Sequence, residues 1–108
     1  MQPLLITVVQ FDQGYNLNFT ITDSQNLPIN ISGASLTFRC QSLSDFNVKF
    51  NNPMVIQNGP AGTCYYTLQA NDFLVAGTYN AQITVTYPGG EVFSVDNITI
   101  VANPNVPQ

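Results

Sequence analysis

The run Asp72–Tyr87, "DFLVAGTYNAQITVTY", decides the fold. Tyr79, Ala81, Ile83, Val85 and Tyr87 share one parity, while Asn80, Gln82, Thr84 and Thr86 share the other. That period of two marks a strand with one face buried and one face wet. Gly77 and Tyr79 open the strand shortly after Asp72. A tyrosine at a strand entry, behind a short corner, matches the tyrosine corner, in which the hydroxyl bonds back to the backbone a few residues upstream. Asp72, Gly77 and Tyr79 are therefore the candidate structural corner of an immunoglobulin-like β-sandwich.

The segments on either side obey the same period. Towards the N-terminus, Tyr15, Leu17, Phe19 and Ile21 are expected to point inward, and Asn16, Asn18, Thr20 and Thr22 outward. Leu36, Phe38 and Cys40 form a third inward set, which leaves Arg39 facing solvent, and Cys64, Tyr66 and Leu68 form a fourth. Between these lie "DSQNLPINISGA" (Asp23–Ala34), with Pro28 excluding a central strand, and the Gly59–Gly62 turn. Phe46, Val48 and Phe50 alternate until Asn51, Asn52 and Pro53 interrupt them, which predicts a bend or bulge before Met54 and Ile56. Downstream, Pro88, Gly89 and Gly90 supply a hairpin loop. In the last strand Phe93 and Val95 differ in parity from Ile98 and Ile100, so a bulge near Asp96 and Asn97 is expected; without it Phe93 would stand exposed at an interface. The expectation is all-β, an antiparallel sandwich of about seven to eight strands. One domain spans 1–101, and 102–108 form an extended or disordered tail.

"LLITVVQ" (Leu4–Gln10) is apolar on both parities. It suits a first strand covered on both faces or shared with a neighbouring chain. Leu5, Val9 and Phe11 can supply the core face, which makes Leu4, Ile6 and Val8 the leading interface candidates. Phe93 and Tyr65 follow.

Only 7% of the 108 residues are charged, against roughly 25% in an average soluble protein, and the net charge is −4. A polar but nearly uncharged surface repels copies and neighbours weakly, which favours packing into an assembly. Arg39 and Lys49, the two cations, are too few to neutralise a row of phosphates, so nucleic acid is not an expected partner. The start has no basic n-region or small-residue cleavage site, and no apolar run reaches the roughly 20 residues of a membrane helix. Met1 reads as a true start, with synthesis in a cytosol and no membrane partner.

No catalytic constellation emerges. Histidine is absent, which removes the usual general base and the commonest metal ligand. The acids Asp12, Asp23, Asp45, Asp72, Glu91 and Asp96 sit at strand ends and turns, where aspartate bonds local backbone, and their spacing matches no calcium loop. No enzyme activity, metal, cofactor or small-molecule ligand is expected. Cys40 and Cys64 fall on inward positions and read as free thiols or as a bridge between sheets, the former favoured by cytosolic synthesis. The sequons at Asn18, Asn30 and Asn97 are what an Asn- and Thr-rich chain produces by chance.

"GYNLNFTITD" (Gly14–Asp23), "LPINISGASLTF" (Leu27–Phe38), "GTCYYTL" (Gly62–Leu68), "GTYNAQITVTYPGG" (Gly77–Gly90) and the closing "VDNITIV" (Val95–Val101) together resemble the immunoglobulin-like N-terminal domain of the upper baseplate proteins of tailed bacteriophages. The resemblance covers nearly the whole chain. It implies a non-enzymatic structural protein of the virion, working through contacts with other virion proteins and copies of itself. Such a protein would be an accessory, decoration or attachment subunit of capsid, neck, tail or baseplate. A carbohydrate-binding or host-adhesion module is the alternative, and it would need aromatic side chains clustered on one exposed face.

Overall fold

The computed structural model describes residues 3–105, and contains eight strands in two sheets. They are β1 (Leu4–Val9), β2 (Asn16–Thr20), β3 (Ser35–Ser42), β4 (Val48–Pro53), β5 (Val55–Asn58), β6 (Thr63–Thr67), β7 (Gly77–Thr86) and β8 (Val92–Asn103). One sheet has the order β1-β8-β7-β3-β4 and the other β2-β6-β5. With β3, β4, β7 and β8 in one layer and β2, β5 and β6 in the other, this is the immunoglobulin-like sandwich. The chain crosses between layers four times, in 10–15, in the proline- and glycine-bearing segment 21–34, at Met54, which separates β4 from β5, and in 68–76.

Alternation dictates the core. Leu17 and Phe19 of β2, Leu36, Phe38 and Cys40 of β3, Cys64 and Tyr66 of β6, and Tyr79, Ala81, Ile83 and Val85 of β7 are all buried. Phe38 stacks on Tyr66 at 4.9 Å between ring centres, and Phe50 on Tyr66 at 5.6 Å. Aromatic rings thus bridge the two layers, and such pairs add to their area burial. Cys40 and Cys64 are both buried and unbridged. Burial pushes their thiols up, to about 12 for Cys40, with help from the charge of Asp72, and to about 11 for Cys64.

In β8, Ile98 pairs with Ala81 while Val95 pairs with Ile83, so Asp96 and Asn97 together oppose Gln82. This is the bulge expected there, and it brings Phe93 and Val95 to the core side alongside Ile98 and Ile100. A second register shift lies between Cys40 and Gln41 opposite β4.

Three expectations are corrected. β1 joins β8 in parallel, Leu4 beside Ile98, Ile6 beside Ile100 and Val8 beside Ala102, so the sheet is not wholly antiparallel. β8 runs to Asn103 with Ala102 buried, so residues 102 and 103 belong to the domain and not to a tail. Of the remaining expected tail, 106–108 lie outside the described residues, as do Met1 and Gln2. Tyr15 is exposed because it stands in the turn before β2 begins, its hydroxyl donating to Asp12 Oδ2 at 2.7 Å.

Candidate protein-contact surface

The parity of β1 is opposite to expectation. Leu4, Ile6 and Val8 lean on the core, Val8 with 2% exposure, whereas Leu5 (67% exposed), Val9 and Phe11 (54%) face solvent. Neighbours in a ladder point to the same side of a sheet, so the inward side chains of Ile98, Ile100 and Ala102 carry Leu4, Ile6 and Val8 inward with them. Tyr65 lies half-buried on the outer face of the small sheet, opposite Asn18 and Val55. Phe93 is half-buried against the core, its ring 6.0 Å from that of Tyr87. The five candidates are not brought together.

A different set is. The connections 10–15, 43–47 and 68–76 all leave the same end of the sandwich, given the antiparallel register of β3, β4, β7 and β8 and the parallel β1. That end carries Val9, Phe11, Tyr15, Phe46, Val48, Leu74 and Val75 among the exposed large hydrophobic residues. Phe11 (φ 73°) and Phe46 (φ 60°, 70% exposed) both occupy the left-handed region, which L-residues with large side chains avoid. Strain of this kind persists only where the surroundings hold it, and it concentrates at contact sites.

The surroundings do hold it. The Phe11 N–H donates to Phe73 O at 3.0 Å, and Gln10 Nε2 donates to Leu74 O at 2.7 Å. The Gly14 N–H donates to Leu68 O at 2.8 Å. Asp12 Oδ2 accepts the Val9 N–H at 2.9 Å as well as the Tyr15 hydroxyl, and burial, then Asp12, pushes the Tyr15 phenol up to about 12. In the third connection the Phe46 N–H donates to Ser42 O, and Gln41 Nε2 donates to Phe46 O at 2.8 Å.

Asp72 and Tyr79 anchor the 68–76 connection from inside. The Tyr79 hydroxyl donates to Val75 O, four residues upstream. Asp72 is buried, and its Oδ2 accepts the Tyr66 hydroxyl at 2.5 Å and the Gln69 N–H at 2.9 Å, while Asn52 Nδ2 donates to the same hydroxyl. Phe73 is fully buried, edge-on to Tyr79 at 5.2 Å and to Phe50 at 5.6 Å. With Phe73 plugged into the core, Leu74 and Val75 are turned out. Both phenylalanines correct the sequence reading, which put Phe11 on the core face of the first strand and Phe46 in alternation with Val48 and Phe50: the structure sets them in turns outside β1 and β4, Phe11 before the "DQG" turn and Phe46 in "SDFN", where the Asn47 N–H donates to Asp45 Oδ1 at 2.9 Å.

The outer face of the large sheet is chemically plain by contrast. Arg39, Gln41, Val48, Asn80, Gln82 and Asp96 line a shallow depression there. Among the described residues no group of three or more His, Cys, Asp or Glu side chains could hold a metal ion, and no helix is long and apolar enough to cross a membrane.

No curated protein matches the chain. The family described as the BppU N-terminal domain, the N-terminal domain of the phage upper baseplate protein, matches residues 3–107. That match spans nearly the whole sequence. The chain belongs to the BppU N-terminal domain family, structural domains of the phage baseplate.

Proposed function

We infer that this domain is a non-enzymatic part of a tailed-phage virion that holds other virion proteins through the apolar end formed by Val9, Phe11, Phe46, Val48, Leu74 and Val75. The observation that carries the reading is the pair of strained, solvent-facing phenylalanines, Phe11 and Phe46, at one end of the sandwich. Exposing such rings costs free energy in the isolated domain, and a partner that buries them recovers it. Aromatic side chains set on tied loops also lose little further entropy on docking, which is the character of interface anchors. The family supports the baseplate as the location; attachment of other virion proteins and self-association within the particle are parts of the same reading.

Co-sedimentation of the purified domain with tail particles of its phage tests it. Wild-type domain is expected to travel with the particles, and the Phe11→Ser/Phe46→Ser double variant to stay in the supernatant while melting like wild type. Equal sedimentation of the two would reject this end as the docking surface. Retention of both on a glycan surface, with no particle binding, would replace it with the adhesion reading.

A further inference from the structure

We propose that the free edge of β1 pairs with β1 of a second copy, antiparallel and in a single register centred on Ile6, to join two domains side by side. The inference rests on the virion-assembly reading and names one contact within it.

Exposed sheet edges are normally guarded by charge, proline, bulges or brevity. β4 carries Lys49 and Pro53, with Lys49 bound to Asp45 at 2.7 Å, and β5 has four residues. β1, "LLITVV", has neither charge nor proline nor bulge. Beside it on the same flank of the sandwich, β2, "NLNFT", is uncharged as well. No strand among the described residues covers this edge of β1, and an open depression lined by Pro3, Leu4, Asn18, Phe19 and Thr20, among others, lies at its start. Leu4 and Ile6 face the core yet remain half-exposed, because they look onto that open flank.

The register follows from which backbone groups are free. The Gln10 N–H turns toward β8 and donates to Asn103 O at 2.8 Å, so in the alternation of a parallel ladder the even-numbered residues serve β8 and the odd-numbered ones the free edge. Of these, Val9 is already satisfied: its N–H donates to Asp12 Oδ2 and its carbonyl accepts the Asp12 N–H at 3.0 Å. Pro3 has no N–H to give. What remains is Leu5 and Thr7. An antiparallel copy centred on Ile6 sets Leu5 opposite Thr7 and Thr7 opposite Leu5, each pair exchanging both hydrogen bonds. It also sets spent Val9 opposite donorless Pro3, so the ladder stops in step at both ends. The edge is complementary to itself in this register. Despite a net charge of −4 per chain, no ionised side chain of β1 or β2 meets its like along the seam. Because the strands run opposite ways, the two Phe11/Phe46 ends face in opposite directions, which makes the pair a two-headed connector.

Light scattering of the whole chain across a concentration series reads the pairing, with a species of twice 11.8 kDa expected. Leu5→Lys/Thr7→Lys sets lysines directly opposite one another across the seam, on solvent-facing positions that leave the monomer fold intact, and is expected to be monomeric with an unchanged melt. Ile6→Cys reads the register, since the central non-hydrogen-bonded pair brings Cα atoms to about 4.5 Å, within bridging range. Oxidation should give a reducible dimer from Ile6→Cys and none from Leu4→Cys, whose copies are far apart along the strand. A wild-type chain that stays monomeric, or a dimer untouched by the lysines, overturns the proposal, and equal bridging at the two positions overturns the register. Particle co-sedimentation of the lysine variant separates the two readings: retained binding with lost dimer confirms that the β1 edge acts apart from the docking end, whereas loss of Phe11→Ser/Phe46→Ser binding with the dimer intact leaves the seam standing.

Discussion

The two ends of the sandwich use their loops for opposite purposes. At one, the 21–34 and 59–62 segments close over the core: Ile21 and Ile31 are fully buried, and the Ile21 N–H donates to Gly62 O, the Ile29 N–H to Ile21 O and the Ile31 N–H to Gly59 O, each at 2.8–2.9 Å. Gly62, at φ 72°, lies so close that a Cβ there would meet the carbonyl oxygens of Ile21 and Ile29 at 2.7 and 2.8 Å. At the other end the backbone is tied as firmly, yet the side chains of Phe11, Phe46, Leu74 and Val75 are turned out. Glycine accepts a left-handed backbone at no steric cost, and a phenylalanine does not. The closing end gives its left-handed positions to Gly33, Gly62 and Asn26, residue types that tolerate them, whereas the displaying end also places two phenylalanines there, Phe11 and Phe46, with their rings exposed.

Breaking the middle that both ends share should have the largest effect. Burial pushes the Cys40 and Cys64 thiols of the folded chain up to about 12 and about 11, from an ordinary value of 9.0. Above that pH the unfolded chain gives up protons that the folded one keeps, so stability is full below pH 9 and declines as pH rises through 11 to 12. Urea midpoints measured between pH 7 and 12 should fall across that window, with Tyr15, Tyr66 and Tyr79, also pushed up by burial, adding to the fall above pH 10, and a flat profile would contradict the buried-thiol argument.

Next in size, Phe73→Ala removes the plug beneath the displaying end. A loss of roughly 3–5 kcal/mol is expected in urea unfolding, together with lost particle binding, because Leu74 and Val75 then have no fixed support. Gly62→Ala attacks the closing end. It should cost about 2 kcal/mol or more through φ and the carbonyl contacts, yet leave particle binding of the folded fraction unchanged. If both variants lost binding alike, the two ends would not be functionally distinct.

The smallest effect sharpens the comparison most. Phe46→Gly relieves the left-handed strain and should raise stability by about 0.5–1 kcal/mol while weakening particle capture. A gain in stability with loss of binding is the signature of strain kept for contact. Unchanged stability would mean that the surrounding hydrogen bonds, not the residue type, set that turn.

Much of the architecture was legible because it rests on single-face alternation. β2, β3, β6 and β7 each place polar residues on one parity, so only one assignment buries the apolar set. The bulge at Asp96 and Asn97 was legible for the same reason, as a parity switch that a core cannot tolerate unbridged. The proposed contact surface was not. Phe11 and Phe46 stand outside strands, where no periodicity acts, and their exposure follows from turns held by Asp12, Phe73 and Gln41 across the chain.

β1 separates the two kinds of information. Sequence alone determined that Leu4–Gln10 carries a strand, that the chain forms a sparsely charged two-layer sandwich, and that Tyr79 opens the strand behind the Asp72 corner, because alternation and turn chemistry are local. Which face of β1 meets the core was decided only by tertiary structure. Both its faces are apolar, so the choice fell to the parallel register with Ile98, Ile100 and Ala102, a pairing more than ninety positions away along the chain.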